Sequence, residues 1–283
     1  MKNIKEIVVE KSLFLIALSA IFMLFLIAVF IFKEGVPLIT KIGLKDFIAS
    51  AQWSPFEGKF GIFSMIMGSL WITLGALVIG VPLGLACAIF LSEFVHKNTR
   101  AILKPVVELL AGIPSVVYGF IGVIVLVPFI RQHFGGPGLS ILAGAIILGI
   151  MILPTVISIS IDALQAVPRS YREGSLALGA TKWQTTRMVT LKAAQSGIVA
   201  SIILGMGRAI GETMAVIMVA GNAVKIPHSI LDPARTLTTN IALEMGFASG
   251  DHRAALFATG VVLFIIIMIL NTLANYVLTQ HKK

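Results

Sequence analysis

Charge and cysteine are both scarce in this sequence. Asp, Glu, Lys and Arg make up only 12% of the 283 residues, against 57% hydrophobic residues and a mean hydropathy of +0.98. That balance excludes an ordinary soluble domain. The single cysteine, Cys87, stands in an apolar run with no intrachain partner, so neither a disulfide framework nor a thiolate metal site can be built. His96, His133, His228, His252 and His281 are scattered over polar segments and the tail, without metal-ligand spacing. A Gly-rich loop ending in Gly-Lys-Ser or Gly-Lys-Thr is also missing, so the chain is not expected to hydrolyse ATP. An intramembrane enzyme would need a nucleophile with its base, or metal ligands, at membrane depth, and the apolar segments offer neither. The net charge of +9 would suit nucleic acid, but the basic residues are spread among short loops and carry no nucleic-acid motif.

The residues present describe a polytopic, all-α membrane protein. Six helices are expected, over Leu13–Phe32, Ser64–Ser92, Pro105–Ile130, Leu139–Leu164, Ala193–Ala220 and Ala254–Leu278. The first follows Lys2, Lys5 and Lys11 like a signal peptide, yet continues long enough to span a bilayer, and is read as uncleaved. Between helices one and two, Pro37, Gly43, Pro55 and Gly58 break any long helix, leaving a loop with a short surface helix. Gly80 and Gly84 give helix two a close-packing ridge and Pro82 should kink it. Gly112, Pro114, Gly119, Gly122 and Pro128 predict a bent or broken third helix, tolerated at membrane depth only beside protein or a wet cavity. Residues 1–63 form an N-terminal unit of one helix and an external loop, and residues 64–280 the transmembrane core. Thirteen of the 22 Lys and Arg fall on one side of this plan and eight on the other, which places both termini and the Val167–Lys192 loop in the cytoplasm.

One stretch, Gly205 to Val216, sets Arg208 and Glu212 inside an apolar segment. An ionisable residue near a bilayer centre costs at least ~2.5–3.5 kcal/mol, so such a residue faces the bundle interior or a wet cavity and is a functional candidate. With helix five entering from the cytoplasm, Arg208 lies ~22 Å in, beyond easy snorkelling. The four-residue spacing puts both side chains on one helix face, where they can neutralise each other. A structural ion pair is the plain alternative to a functional one. Gly207 and Gly211 repeat the spacing and make a ridge that another helix or a ligand's path could approach. Thr213 could add a hydroxyl or bond back along its own helix. Ser115 and Tyr118 beside Pro114 could line a path or simply pack. Glu108 and Asp162, near helix ends, suit solvated or structural roles.

The Val167–Lys192 loop is patterned as two short helices. Pro168 is placed as a first helical residue, Gly179 as a left-handed terminator, and Thr181 with Gln184 as a capping box. A structured protrusion of that length suggests docking, against the bland reading of a solvated positive loop.

Residues Arg172-Glu173-Gly174-Ser175-Leu176-Ala177-Leu178-Gly179-Ala180, followed by Val189-Thr190-Leu191, resemble the EAA loop of membrane subunits of type I ABC importers. Glu173, Gly179 and Leu191 match. Gly174 and Ser175 replace two alanines, and Lys192 replaces a proline, so the second short helix is expected to run on into helix five. The resemblance implies a MetI-like permease core, with the segment Glu173, Gly174, Ser175, Leu176, Ala177, Leu178, Gly179, Ala180 docking into a groove on a cytoplasmic ATPase. Glu108 to Gly119, Gly205 to Val216, and Leu231-Asp232-Pro233 with Arg235 to Thr238 and Glu244-Met245 further resemble the permease subunits of phosphate importers; Met214-Ala215-Val216 and Gly221-Asn222 resemble the PstC type.

That resemblance implies a non-catalytic subunit of the cytoplasmic (inner) membrane in contact with lipid. It also implies a heterodimer with a PstA-type permease, two PstB-type ATPases holding ATP and Mg, an external phosphate-binding protein, and inorganic phosphate as substrate. No cofactor is expected in this chain. On this reading Arg208, Glu212, Thr213, Ser115 and Tyr118 face the substrate path. Glu212 would limit the positive potential so that the anion is not held too tightly to leave. The alternatives are a permease for another oxyanion, sulfate or molybdate, and a stand-alone secondary transporter, which would need no EAA loop.

Overall fold

The computed structural model describes residues 4–280. Its twelve helices are α1 (Ile4–Ile42), α2 (Leu44–Ala49), α3 (Phe63–Phe94), α4 (Lys97–Ala111), α5 (Ser115–Phe134), α6 (Ile141–Gln165), α7 (Arg169–Ala177), α8 (Lys182–Ala193), α9 (Gln195–Gly211), α10 (Met214–Val219), α11 (Leu237–Glu244) and α12 (Gly250–Gln280). A two-stranded antiparallel hairpin, β1 (Trp53–Ser54) and β2 (Lys59–Phe60), is the one sheet among the described residues. Five helices, α1, α3, α5, α6 and α12, are long and apolar enough to cross a membrane. The sixth candidate is the pair α8 and α9, bent by 70° at Ala194. Lys2, Lys282 and Lys283, used in the orientation argument, lie outside the described residues.

The core sits where α6 packs on α3 and α9. Small residues allow it: a Cβ at Gly80 would lie 2.7 Å from the Gly149 carbonyl oxygen, and one at Gly84 would lie 2.9 Å from Val156. With little hydrophobic force between helices in lipid, such close backbone contact is the main source of packing energy. Ser160 and Ser201, both buried, share a hydroxyl hydrogen bond of 2.9 Å that joins α6 to α9. A second cluster joins Leu38 of α1 and Phe47 of α2 to Leu237 of α11 and Ala255 and Ala258 of α12.

Several expectations need correction. Helix one does not stop near Phe32: α1 continues through Pro37 to Ile42. Gly35, whose Cβ would meet the Ala258 backbone nitrogen at 2.7 Å, and buried Leu38 seat this end on α12, which outweighs the one hydrogen bond that Pro37 cannot donate. The apolar window of α1, by contrast, is 0% buried within the chain. The region read as a polar stretch followed by helix three is two helices, α4 and α5. The 15-residue α4 starts at Lys97, carries Pro105 inside it, and exposes Ile102, Val106 and Leu109. Lys104 on it pairs with Asp162 at 2.5 Å and Glu108 at 3.8 Å, the structural role expected of those carboxylates. Helix five is broken: α9 ends at Gly211 and α10 begins at Met214. Pro168 caps α7 rather than opening it.

Candidate functional site

Two helix breaks lie on neighbouring elements. The first separates α4 from α5. Pro114 disfavours helical backbone at Ile113, and α4 ends with carbonyls that have no helical partner. Tyr118 donates its hydroxyl to the Leu110 carbonyl at 2.9 Å, and Arg208 reaches the Ala111 carbonyl through Nη2 at 3.4 Å. A guanidinium at a helix C-terminus is favoured by the negative end of the helix dipole. Arg208 Nη1 also donates to Thr155 Oγ1 at 3.5 Å. Arg208 and Tyr118, both expected on the path, thus converge on the open end of α4. Ser115, in the first turn of α5, is half-buried beside the same break.

The second break overturns the expected Arg208–Glu212 pair. Glu212 has extended backbone, φ −70 and ψ 131, so the one-turn spacing that would have aligned the two side chains is lost. Its carboxylate instead accepts the Ala215 N–H at 3.2 Å, capping α10, and its carbonyl accepts the Thr238 hydroxyl at 3.1 Å. Thr213 donates back to the Gly211 carbonyl at 3.3 Å, the local bond that was one of its two readings. Among the described residues no carboxylate pairs with Arg208. The two breaks adjoin through α5 and α10, where a Cβ at Gly119 would lie 3.0 Å from the Ala215 Cα.

One side of α9 packs inward and the other is open. Gly205, Ala209 and Ile210 are buried, with Gly205 against Val156. A Cβ at Gly207 or Gly211 would meet nothing within 4 Å, and Leu204 is exposed. The Gly207–Gly211 ridge therefore packs against no part of this chain. The resulting site offers a cation with long hydrogen bonds and no counter-charge, next to an uncovered helix face. Chemically, it suits a charge-assisted contact to an anion.

Beyond the C-terminal end of α6 the chain forms the expected helical hairpin. The Ala180 N–H bonds the Ser175 carbonyl at 3.2 Å and the Gly179 N–H bonds the Leu176 carbonyl at 2.9 Å. With Gly179 at φ +85, this is a Schellman end. Thr181 and Gln184 form the capping box, and Ser175 meets Thr185 hydroxyl to hydroxyl at 3.0 Å. The tip leaves Tyr171, Leu176, Leu178 and Trp183 exposed, Leu178 by 91%. Glu173, Gly174 and Ala177 are also at the surface, and Ala180 is half-buried. Arg172 holds the hairpin to α3. Its Nη2 and Nε take both oxygens of Glu93, at 2.8 and 3.2 Å, while Nη1 and Nη2 bond the carbonyls of Val167 and Leu164.

The segment between α10 and α12 is more structured than its sequence suggested. Leu237 to Asn240 of α11 are buried, and Glu244 at its end is the centre of a polar network. Arg235 donates to Glu244 at 2.6 Å, Trp53 Nε1 donates at 2.9 Å, and His252 Nε2 lies 2.8 Å away. Burial is the largest influence on the Glu244 carboxyl and pushes it up, but the donors from Trp53, His252 and Arg235 together outweigh it and hold the group below its ordinary value. Asp232 is likewise held low, chiefly by the N–H groups of His228 and Ser229. Arg235 and Glu244 stood out in sequence only as part of a resemblance. Trp53 and His252, far away in the chain, carried no local signal of this meeting.

Residues 80–281 match the family model described as binding-protein-dependent transport system inner membrane component. The chain is 44% identical over 263 residues to "Probable ABC transporter permease protein YqgH" of Bacillus subtilis, a match covering 90% of this chain and 85% of the relative. It is 38% identical over 256 residues to "Phosphate transport system permease protein PstC" of Mesorhizobium japonicum, covering 83% and 78%. Among solved structures, an inward-facing form of the MetNI methionine ABC transporter aligns with a TM-score of 0.64 at 19% identity, covering 82% of this chain and 100% of that one, a likeness of fold alone.

Proposed function

Because the chain belongs to the binding-protein-dependent transport system inner membrane components, and so is a multi-pass permease subunit of an ABC importer, we propose that its cargo is inorganic phosphate. Relatives named as phosphate permeases support that cargo. The observation that carries the chemistry is Arg208, unpaired with any described carboxylate, at the break between α4 and α5 beside the open face of α9. Phosphate released by an external binding protein crosses between this subunit and a PstA-type permease set against Gly207 and Gly211. Arg208 exchanges its long bonds to Ala111 and Thr155 for a forked contact to phosphate oxygens. Tyr118 and Ser115 border the same break. Glu212 and Thr213 shape it through backbone and capping bonds, with Glu212 adding the negative potential that eases release.

The hairpin of α7 and α8, from Glu173 to Ala180, seats in a PstB-type ATPase, one of two that bind ATP and Mg on the cytoplasmic side, where both termini of this chain also lie. Its exposed Leu176 and Leu178 supply the apolar contact. ATP-driven movement of the hairpin rocks the bundle between outward and inward access.

Labelled phosphate uptake by cells expressing the complete importer tests this reading. Arg208→Ala is expected to lower uptake at least about tenfold while the subunits still co-purify, with Arg208→Lys intermediate, since a point charge replaces a planar fork. Sulfate and molybdate should not compete. Normal uptake by Arg208→Ala would make the residue structural, and competition by sulfate or molybdate would move the cargo to another oxyanion.

A further inference from the structure

A cleft of about 620 Å³ opens between the ends of α3 and α6 and the start of α7. Five cationic side chains line it, Lys97, Arg100, Arg169, Arg172 and Lys182, opposed by Glu93 and Glu173. Glu93 is already engaged by the Arg172 fork. Arg100 gives two donors to the carbonyls of Leu91 and Ser92. Lys97, Arg169 and Lys182 are exposed, and among the described residues none of them is in an ion pair. Lys182 sits 5.2 Å from the centre of the Phe94 ring. The cleft therefore holds a surplus of unneutralised positive charge.

Its depth in the membrane follows from the sequence. Ser92, Glu93 and Gln165 in its lining are the last residues of the apolar spans Phe63–Phe94 and Ile141–Gln165, and Lys97, Arg100, Val167 and Arg169 follow them closely in the chain. That puts the cleft at the level of lipid headgroups. The same elements expose large apolar side chains: Phe90 and Phe94 on α3, and Ile102 and Val106 on α4. A free inorganic anion would use only the charge, whereas a phospholipid would use both.

We propose that this cleft seats the phosphodiester headgroup of an anionic phospholipid, with its acyl chains along the exposed faces of α3 and α4. The headgroup then bridges α4 to the base of α7, joining the membrane body to the protruding hairpin. Basic pockets between spans on the cytoplasmic side are suited to such headgroups, at roughly 1 kcal/mol for each cation near the surface.

The test is native mass spectrometry of the full chain, purified with the subunits it assembles with and stripped of lipid. It is titrated with phosphatidylglycerol, phosphatidylcholine or inorganic phosphate. K97Q/R169Q removes two exposed cations of the cleft; K45Q/K59Q removes two exposed cations elsewhere on the chain. Phosphatidylglycerol should bind in preference to phosphatidylcholine, weaken about 30-fold in K97Q/R169Q, and be unchanged in K45Q/K59Q. Excess phosphate should not displace it. Unchanged phosphatidylglycerol binding in K97Q/R169Q would overturn the proposal. Displacement by phosphate would overturn it in favour of a free-anion site. Loss of the ATPase from K97Q/R169Q with lipid binding intact would overturn it in favour of a protein occupant.

Discussion

Glu244 shows how much one carboxylate can hold together. It receives donors from β1, from the segment before α11 and from α12, and it is only 13% exposed. Glu244→Gln keeps the shape and removes the charge, so it should destabilise the purified importer by about 1–3 kcal/mol at neutral pH, read as a lower thermal midpoint. Because the folded state holds this carboxyl below its ordinary 4.5, its contribution is present above that value and is lost as pH falls through the depressed one. The midpoints of wild type and Glu244→Gln should therefore converge as acid is added below pH 4.5, and a gap constant down to pH 3 would contradict the assignment. At this scale the sequence was half legible. Arg208 announced itself because a charge in an apolar run is rare. The expected pairing with Glu212 did not hold, because the helix ends before that residue and its carboxylate caps α10 instead.

Local signals made the α7–α8 hairpin readable: a terminating glycine and a capping box act within a few residues and need no tertiary partner. Arg172, which fixes this element to α3, needed one, since Glu93 lies far back in the chain. Arg172→Ala should loosen the hairpin and lower phosphate uptake per ATP hydrolysed, and Arg172→Lys should not restore it, because an ammonium cannot fork to both carboxylate oxygens. Equal coupling in all three proteins would argue against this attachment. Misreadings at the same scale have one cause. Pro37 and Pro105 were taken as boundaries on local grounds, yet both sit inside helices, α1 being held by tertiary contacts at Gly35 and Leu38.

Across the whole molecule, glycines divide into those that close the chain on itself and those that leave room for something else. Gly80→Leu should prevent α3 from approaching α6 and reduce accumulation of the chain, as measured by membrane yield. Gly207→Leu and Gly211→Leu meet nothing within the chain, so yield should be unchanged while co-purification of the second permease falls about tenfold or more. If both survive assembly, the open face of α9 is not the subunit boundary. Composition and the helix-breaking residues were sufficient for a plan of five or six spans and for the break at Gly112 and Pro114; they were blind to the break after Gly211.

The bareness of α1 has a mechanical consequence. The candidate span Val9–Ile42 has 34 residues, but its uncharged run Leu13–Phe32 measures about 30 Å at 1.5 Å per residue, the thickness of a bilayer's hydrocarbon layer. Seated on α12 from Phe30 to Leu38 and with no fully buried residue in its apolar window, the helix meets mostly lipid over the rest of its length. Its inclination is then set by the thickness of the surrounding bilayer, so thicker, sterol- or long-chain-rich membranes would stand it more upright than thin ones.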